Sequence, residues 1–186
     1  DLQNADIIRV VDRRRGMPIA LSILYIATGR AQGWDVCGLN MPGHCVCRIE
    51  KDGQRVIFDP FDRAKILEAA DLRDLLKKSH GEHAELSSSY YEPASGRDML
   101  IRLQNNIKLR LIENEEYEKA IGVVEAMRRI DPDEYRLLLD AGVLYARTEQ
   151  NMAAARALEG YIDREQNPQN RQEAALLLQQ IREGLD

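Results

Sequence analysis

Apolar residues recur at two different periods along this chain, and the change of period divides it. Near the start, Ile7, Ile8, Val10 and Val11 gather on one side of a helical projection. Asn4 or Asp6 is placed to cap that helix. The cations at 13–15 suit its carbonyl end, and Gly16 is the expected terminator. Pro18 then fits the first position of a second helix running to Gln32, because its missing N–H would have no partner there anyway. Ile19, Leu21, Ile23, Leu24 and Ile26 make that helix apolar almost all round, which predicts a central, buried element.

The period then shortens to two. Residues 34–39 and 45–49 read as strands, and 51–54 (Lys-Asp-Gly-Gln) as a hairpin turn that returns 55–58 antiparallel to the second strand. His44 opens the second strand. Asp59-Pro60 ends the third, because proline cannot donate to the ladder. A helix follows at about 69–78, with Asp71 near its start and Lys77-Lys78 at its end. Residues 79–96, rich in Ser, His, Glu, Gly and Pro, show no sustained period and read as a connection between domains.

From Arg97 onward the helical period resumes and repeats itself. Ile107, Leu111, Tyr117, Ala120, Val124, Met127 and Pro132 are echoed by Ala141, Gly142, Tyr145, Ala154, Leu158, Tyr161 and a slightly late Pro168. This spacing resembles the 34-residue helix-turn-helix of tetratricopeptide repeats; a generic helical bundle is the plainer alternative. Small residues at 120, 142 and 154 would let paired helices approach closely. A last helix over 171–185, with Ala174, Leu177, Leu178 and Ile181 on one face, reads as a cap. The expected division is therefore a first domain at 1–80, a linker at 81–96, and two repeats plus a cap at 97–186.

Composition narrows the function classes. The 186 residues are 44% hydrophobic and 31% charged, as in a globular protein, and suffice for one or two small domains. A net charge of −5 argues against a nucleic-acid or anionic-membrane surface, and the short basic run at 13–15 does not reverse it. No apolar run approaches the roughly 20 residues needed to span a bilayer. Three cysteines, Cys37, Cys45 and Cys47, lack a disulfide framework, so buried thiols in a reducing, cytoplasmic setting are expected rather than disulfides. Cys37, His44, Cys45 and Cys47 also lack the paired C-x-x-C spacing of structural zinc, so neither metal nor cofactor is expected.

The order of Gly16 entering a helix, His44 opening a strand and Asp59 closing the next resembles the transglutaminase-like branch of the papain-type fold. In that branch a cysteine nucleophile sits at the helix N-terminus. Here Pro18 stands in its place, with no heteroatom to attack. Thiol attack needs a thiolate, a base and a group that orients the base; His44 and Asp59 could be the last two. Ser22 lies one turn beyond Pro18, about 5–6 Å deeper and out of direct reach of a histidine at the helix tip. Cys45 adjoins His44, but successive strand side chains point to opposite faces. Cys37 is less constrained and stays a candidate thiol. His44 is otherwise a satisfied histidine held by Asp59 or a carbonyl, or a ligand-recognition group. Asp59 is otherwise a turn former before Pro60. The cations at 13–15 read as a solvated helix end or as a patch for an anion or acidic partner.

The whole chain resembles the SirB-type family of bacterial proteins, in which a transglutaminase-like domain precedes tetratricopeptide repeats. The residues that carry this are 13–21 (Arg-Arg-Arg-Gly-Met-Pro-Ile-Ala-Leu), Pro42-Gly43-His44, Phe58-Asp59-Pro60-Phe61 and the segment 99–108. The resemblance implies an α+β fold, a papain-type helix with a small antiparallel sheet, followed by an all-α repeat domain. It also implies a degenerate active site and, in most members, a helical segment before the point where this chain begins. Two functions stay open, beside the possibility that the first domain is a scaffold with no cleft ligand. One is a non-catalytic interaction or regulatory protein, with an old cleft at Arg15, Gly16, Pro18, Pro42, Gly43, His44 and Asp59 and a protein or peptide partner on the repeats. The other is a cysteine-dependent hydrolase or amide transferase with a relocated thiol and His44 as base. Thiol reactivity separates them.

Overall fold

A computed structural model of the chain describes residues 2–184. Asp6 caps helix α1 (Ile7–Arg13), its carboxylate accepting from the amides of Ile8 and Arg9. The helix stops at Arg14, in the left-handed region at φ 52°, and not at Gly16 as expected. Gly16 is needed for a different reason: a Cβ there would stand 2.7 Å from Val10 Cγ1 as the chain turns back over α1. Pro18 opens α2 (Pro18–Ala31) at its first position, as the missing amide predicts.

The expectation that α2 is buried all round needs correcting. Only Ile19, Ala20, Ser22 and Gly29 are buried, and Tyr25 is 40% exposed. The reason is that α2 forms an outer layer on one face of the sheet. There Gly29 admits Val36, whose Cγ2 would lie 2.4 Å from a Cβ, and Tyr25 meets Phe58 edge-on with centroids 5.3 Å apart.

The sheet is antiparallel in the order β1 (Asp35–Gly38), β2 (Cys47–Lys51), β3 (Gln54–Asp59), β4 (Lys65–Ile66). The β2–β3 turn places both Asp52 and Gly53 at positive φ, 51° and 77°, the backbone that matches the right-handed twist of a two-residue hairpin. Strand β2 starts at Cys47, two residues later than expected, so His44 lies in the bend ahead of the strand. Strand β4 was not foreseen. It forms because the chain folds back after Asp59 and pairs Lys65 and Ile66 with the end of β3. Helix α3 (Ala69–His80) begins with a reciprocal capping box between Glu68 and Asp71. Its Leu72 and Leu76 cover the other face of the sheet, with Cys37, Leu39, Met41, Val46 and Leu67.

Residues 81–96, read from composition as a connection, are held to that same core. Ala84, Leu86, Tyr90 and Tyr91 pack on it. The Asn40 amide donates to the Glu92 carbonyl (3.1 Å) and the Ala94 amide to the Gly38 carbonyl (2.8 Å), which covers the open edge of β1. The described residues form two compact units that divide between Leu103 and Gln104, within α4 (Gly96–Glu113).

The second unit is helical: the end of α4, then α5 (Tyr117–Ile130), α6 (Arg136–Arg147), α7 (Asn151–Ile162) and α8 (Pro168–Glu183). The repeated small positions serve as spacing implied. Ala120 and Ala154 are fully buried, and a Cβ on Gly142 would stand 2.7 Å from Leu158 Cγ. Tyr145 donates its hydroxyl to Glu125 Oε1 (3.1 Å), tying α6 to α5. Helix α8 starts at Pro168, earlier than expected, with Asn167 as its cap. It buries Ala174, Leu178 and Ile181; Leu185, included in the expected cap, lies outside the described residues.

Candidate functional site

Three local features bring the first unit's polar residues to the end of the β2–β3 pair. Gly43 takes a φ of 72°, which turns the chain before His44, and a Cβ there would fall 2.5 Å from Ser79 Cβ on α3. Arg102, on α4, donates to the Met41 carbonyl at 2.9 Å and more weakly to the His44 carbonyl at 3.5 Å, pinning this loop from the other side. Asp59 closes β3 and folds the chain back, its Oδ1 accepting from the amides of Phe61 (2.8 Å) and Asp62 (3.3 Å).

The other carboxylate oxygen of Asp59 lies 2.7 Å from His44 Nε2. Asp59 is buried, whereas the His44 side chain keeps 25% of its surface exposed. The two alternatives weighed for Asp59, turn former and partner of the histidine, are thus both filled, one by each oxygen. The pair forms although His44 is not on a strand. Cys47 is opposite Phe58, so the backbone just before Cys47 runs beside Asp59. Strand alternation therefore does not turn Cys45 away from His44, a correction to the sequence expectation, because residues 44–45 precede the strand.

The thiols sit in surroundings that oppose ionisation. Burial pushes the Cys47 thiol up to about 12, against a smaller lowering influence of the Ser22 hydroxyl. Ser22 is itself fully buried and donates to the Pro18 carbonyl at 2.9 Å. Burial also raises Cys45, which Arg102 lowers in part, and raises Cys37. A thiolate nucleophile needs the reverse, a nearby cation or helix N-terminus that outweighs desolvation.

Of the expected cleft residues, Pro42 and Gly43 are continuous with His44 and are held by the same loop contacts. Arg15, Gly16 and Pro18 lie together at the turn from α1 into α2, where Met17 donates to the Asn4 carbonyl at 2.8 Å. Among the described residues no hydrogen bond joins that turn to His44 or Asp59. Arg102 was not singled out from the sequence as a positioning residue; its one signal was its place in the segment 99–108. Among the described residues no three His, Cys, Asp or Glu side chains converge as metal ligands would.

Comparison with known proteins agrees with this architecture. The family model of the transglutaminase-like superfamily matches residues 1–105, and that of the tetratricopeptide repeat matches 107–182. A UPF0162 protein of Xylella fastidiosa strain Temecula1 is 26% identical over 165 residues, covering 87% of this chain and 59% of the relative. A UPF0162 protein of Vibrio cholerae is 24% identical over 164 residues, covering 88% of this chain and 60% of its own length. Protein SirB1 of Salmonella typhimurium is 24% identical over 156 residues, covering 83% and 58%. The chain therefore spans about three fifths of the length of these relatives. No solved structure matches it significantly. With a transglutaminase-like domain followed by tetratricopeptide helices, the chain belongs to the transglutaminase-like superfamily and, within it, to the SirB-type family.

Proposed function

We propose that this chain is a non-catalytic binding protein with a regulatory role. Its first unit uses the loop 42–44 and the partly exposed His44 imidazole, with Asp59 behind it, to recognise a peptide or side chain. Its helical repeats take a protein or peptide partner, in the manner of stacked helix pairs. The observation that supports this reading is that burial raises all three thiols while the first position of the helix carries no sulfur. Pro18 occupies the first position of α2, and burial holds the Cys47 thiol at about 12. A fixed His–Asp pair without a nucleophile orients a hydrogen-bonding group but cannot form an acyl-enzyme.

Site-resolved alkylation tests the proposal. With iodoacetamide at neutral pH, each cysteine of the native chain should react more slowly than free cysteine, and Cys37 and Cys47 should become reactive only in denaturant. One cysteine labelling faster than free thiol, and losing that rate in His44→Ala, would replace this reading with the hydrolase or amide-transferase one.

A further inference from the structure

One stripe of α6 carries Asp140, Val143, Leu144 and Arg147, spaced i, i+3, i+4, i+7. Together with Ile112 of α4 and Leu139, the two apolar members of that stripe line a groove of about 270 Å³ in the helical unit. Val143 is 37% exposed at its surface. The two charges at the rim are not equivalent. Asp140 is already matched by Lys108, whose ammonium is buried and bonded to Asp140 Oδ2. Arg147 is exposed, lies over the ring of Tyr117 at 6.0 Å, and meets no carboxylate among the described residues. The groove therefore presents an apolar floor and one uncompensated guanidinium, held in place by an aromatic face.

We propose that this groove binds a peptide segment presenting one large apolar side chain and, about two residues along, a single carboxylate. The spacing follows from the helix: Val143 and Arg147 are one turn apart, about 6 Å along the axis, which an extended peptide covers in about two residues. A carboxylate suits the planar fork of arginine. A polyanion such as nucleic acid does not, because the chain's whole excess of acidic over basic residues falls beyond residue 103, in the helical unit that carries this groove's single unmatched cation. The inference rests on the reading that the repeats recognise a peptide, and specifies its chemistry.

Fluorescence polarisation on the full chain decides it, using labelled, end-blocked nonapeptides with Leu at position 5 and Asp, Asn or Lys at position 7, plus an Ala-for-Leu control. The Leu/Asp peptide should bind about tenfold tighter than its Asn or Lys counterparts, the usual worth of a charge-assisted hydrogen bond. Arg147→Gln, at an exposed site and checked by far-UV circular dichroism, should abolish the preference for Asp over Asn while retaining that for Leu over Ala. Val143→Glu should weaken both. Equal affinity for Asp and Asn, a preference for Lys, or an Arg147→Gln variant that still prefers Asp would overturn the proposal. If none of the nonapeptides binds, selection from a random displayed-peptide pool separates the two levels. Enriched peptides lacking the apolar–carboxylate pattern overturn this inference alone, and no enrichment also removes peptide recognition by the repeats.

Discussion

Replacing Asp59 by alanine removes two kinds of bond at once. The amides of Phe61 and Asp62 lose the acceptor that folds the chain into β4, and the His44 ring loses its partner. Three hydrogen bonds to one buried carboxyl make this a large effect, and we expect a loss of about 2–4 kcal/mol in urea unfolding. Asp59→Asn keeps an oxygen for the turn amides and should lose about half as much; equal losses would mean that the turn contributes nothing. At the end of α1 the expected change has the opposite sign. Arg14 holds a left-handed conformation that costs a side-chain-bearing residue strain, so Arg14→Gly should raise stability by up to about 1 kcal/mol. An unchanged or lower urea midpoint would show that the Arg14 side chain contributes more than its backbone costs.

Two helical glycines behave differently because of what surrounds them. Gly122 on α5 has nothing within 4 Å of where an added methyl would stand, so Gly122→Ala should stabilise by about 0.5–1 kcal/mol through helix propensity. Gly142 on α6 has Leu158 at 2.7 Å, so Gly142→Ala should cost about 1–3 kcal/mol through overpacking of the α6–α7 seam. Thermal melts of the two variants should move in opposite directions. The α7–α8 connection adds a pH dependence. The Tyr161 hydroxyl donates to Glu165, which also accepts from the Asn167 amide; these bonds hold the Glu165 carboxyl below its usual range. The same bond pushes Tyr161 up to about 12. A depressed carboxyl contributes stability above its unfolded pKa and loses it as pH falls through the folded value. A raised phenol contributes below about 10 and loses it as pH rises toward 12. Urea midpoints should therefore decline at both extremes, and Tyr161→Phe should flatten the alkaline decline and reduce the acid one. An unchanged alkaline slope would discount the bond.

At the scale of the molecule, each compact unit has its own core, and the single tryptophan, Trp34, lies in the first. Chains of this kind commonly depart from two-state unfolding. Trp34 fluorescence and far-UV circular dichroism, the latter reporting the helices of both units with the larger share from the second, should give non-coincident urea transitions. A single shared midpoint and slope would show that the units unfold together.

The amino-acid order alone determined what depends on neighbours in the chain. Pro18 at a helix start, the Asp52-Gly53 turn, Asp71 near the start of α3 and the spaced small residues of the repeats are each local steric or hydrogen-bonding necessities, legible one segment at a time. Tertiary packing decided what depends on distant partners. Strand β4 exists because Asp59 redirects the chain, and residues 81–96 are ordered by hydrogen bonds to β1 that composition does not reveal. At the candidate site, periodicity placed His44 near Asp59 but on a strand, whereas a glycine turn and Arg102, 58 residues away, set its position. The cysteine count pointed to buried thiols, but how strongly burial opposes ionisation was hidden for the same reason: desolvation of Cys47 belongs to the assembled core and not to its local sequence.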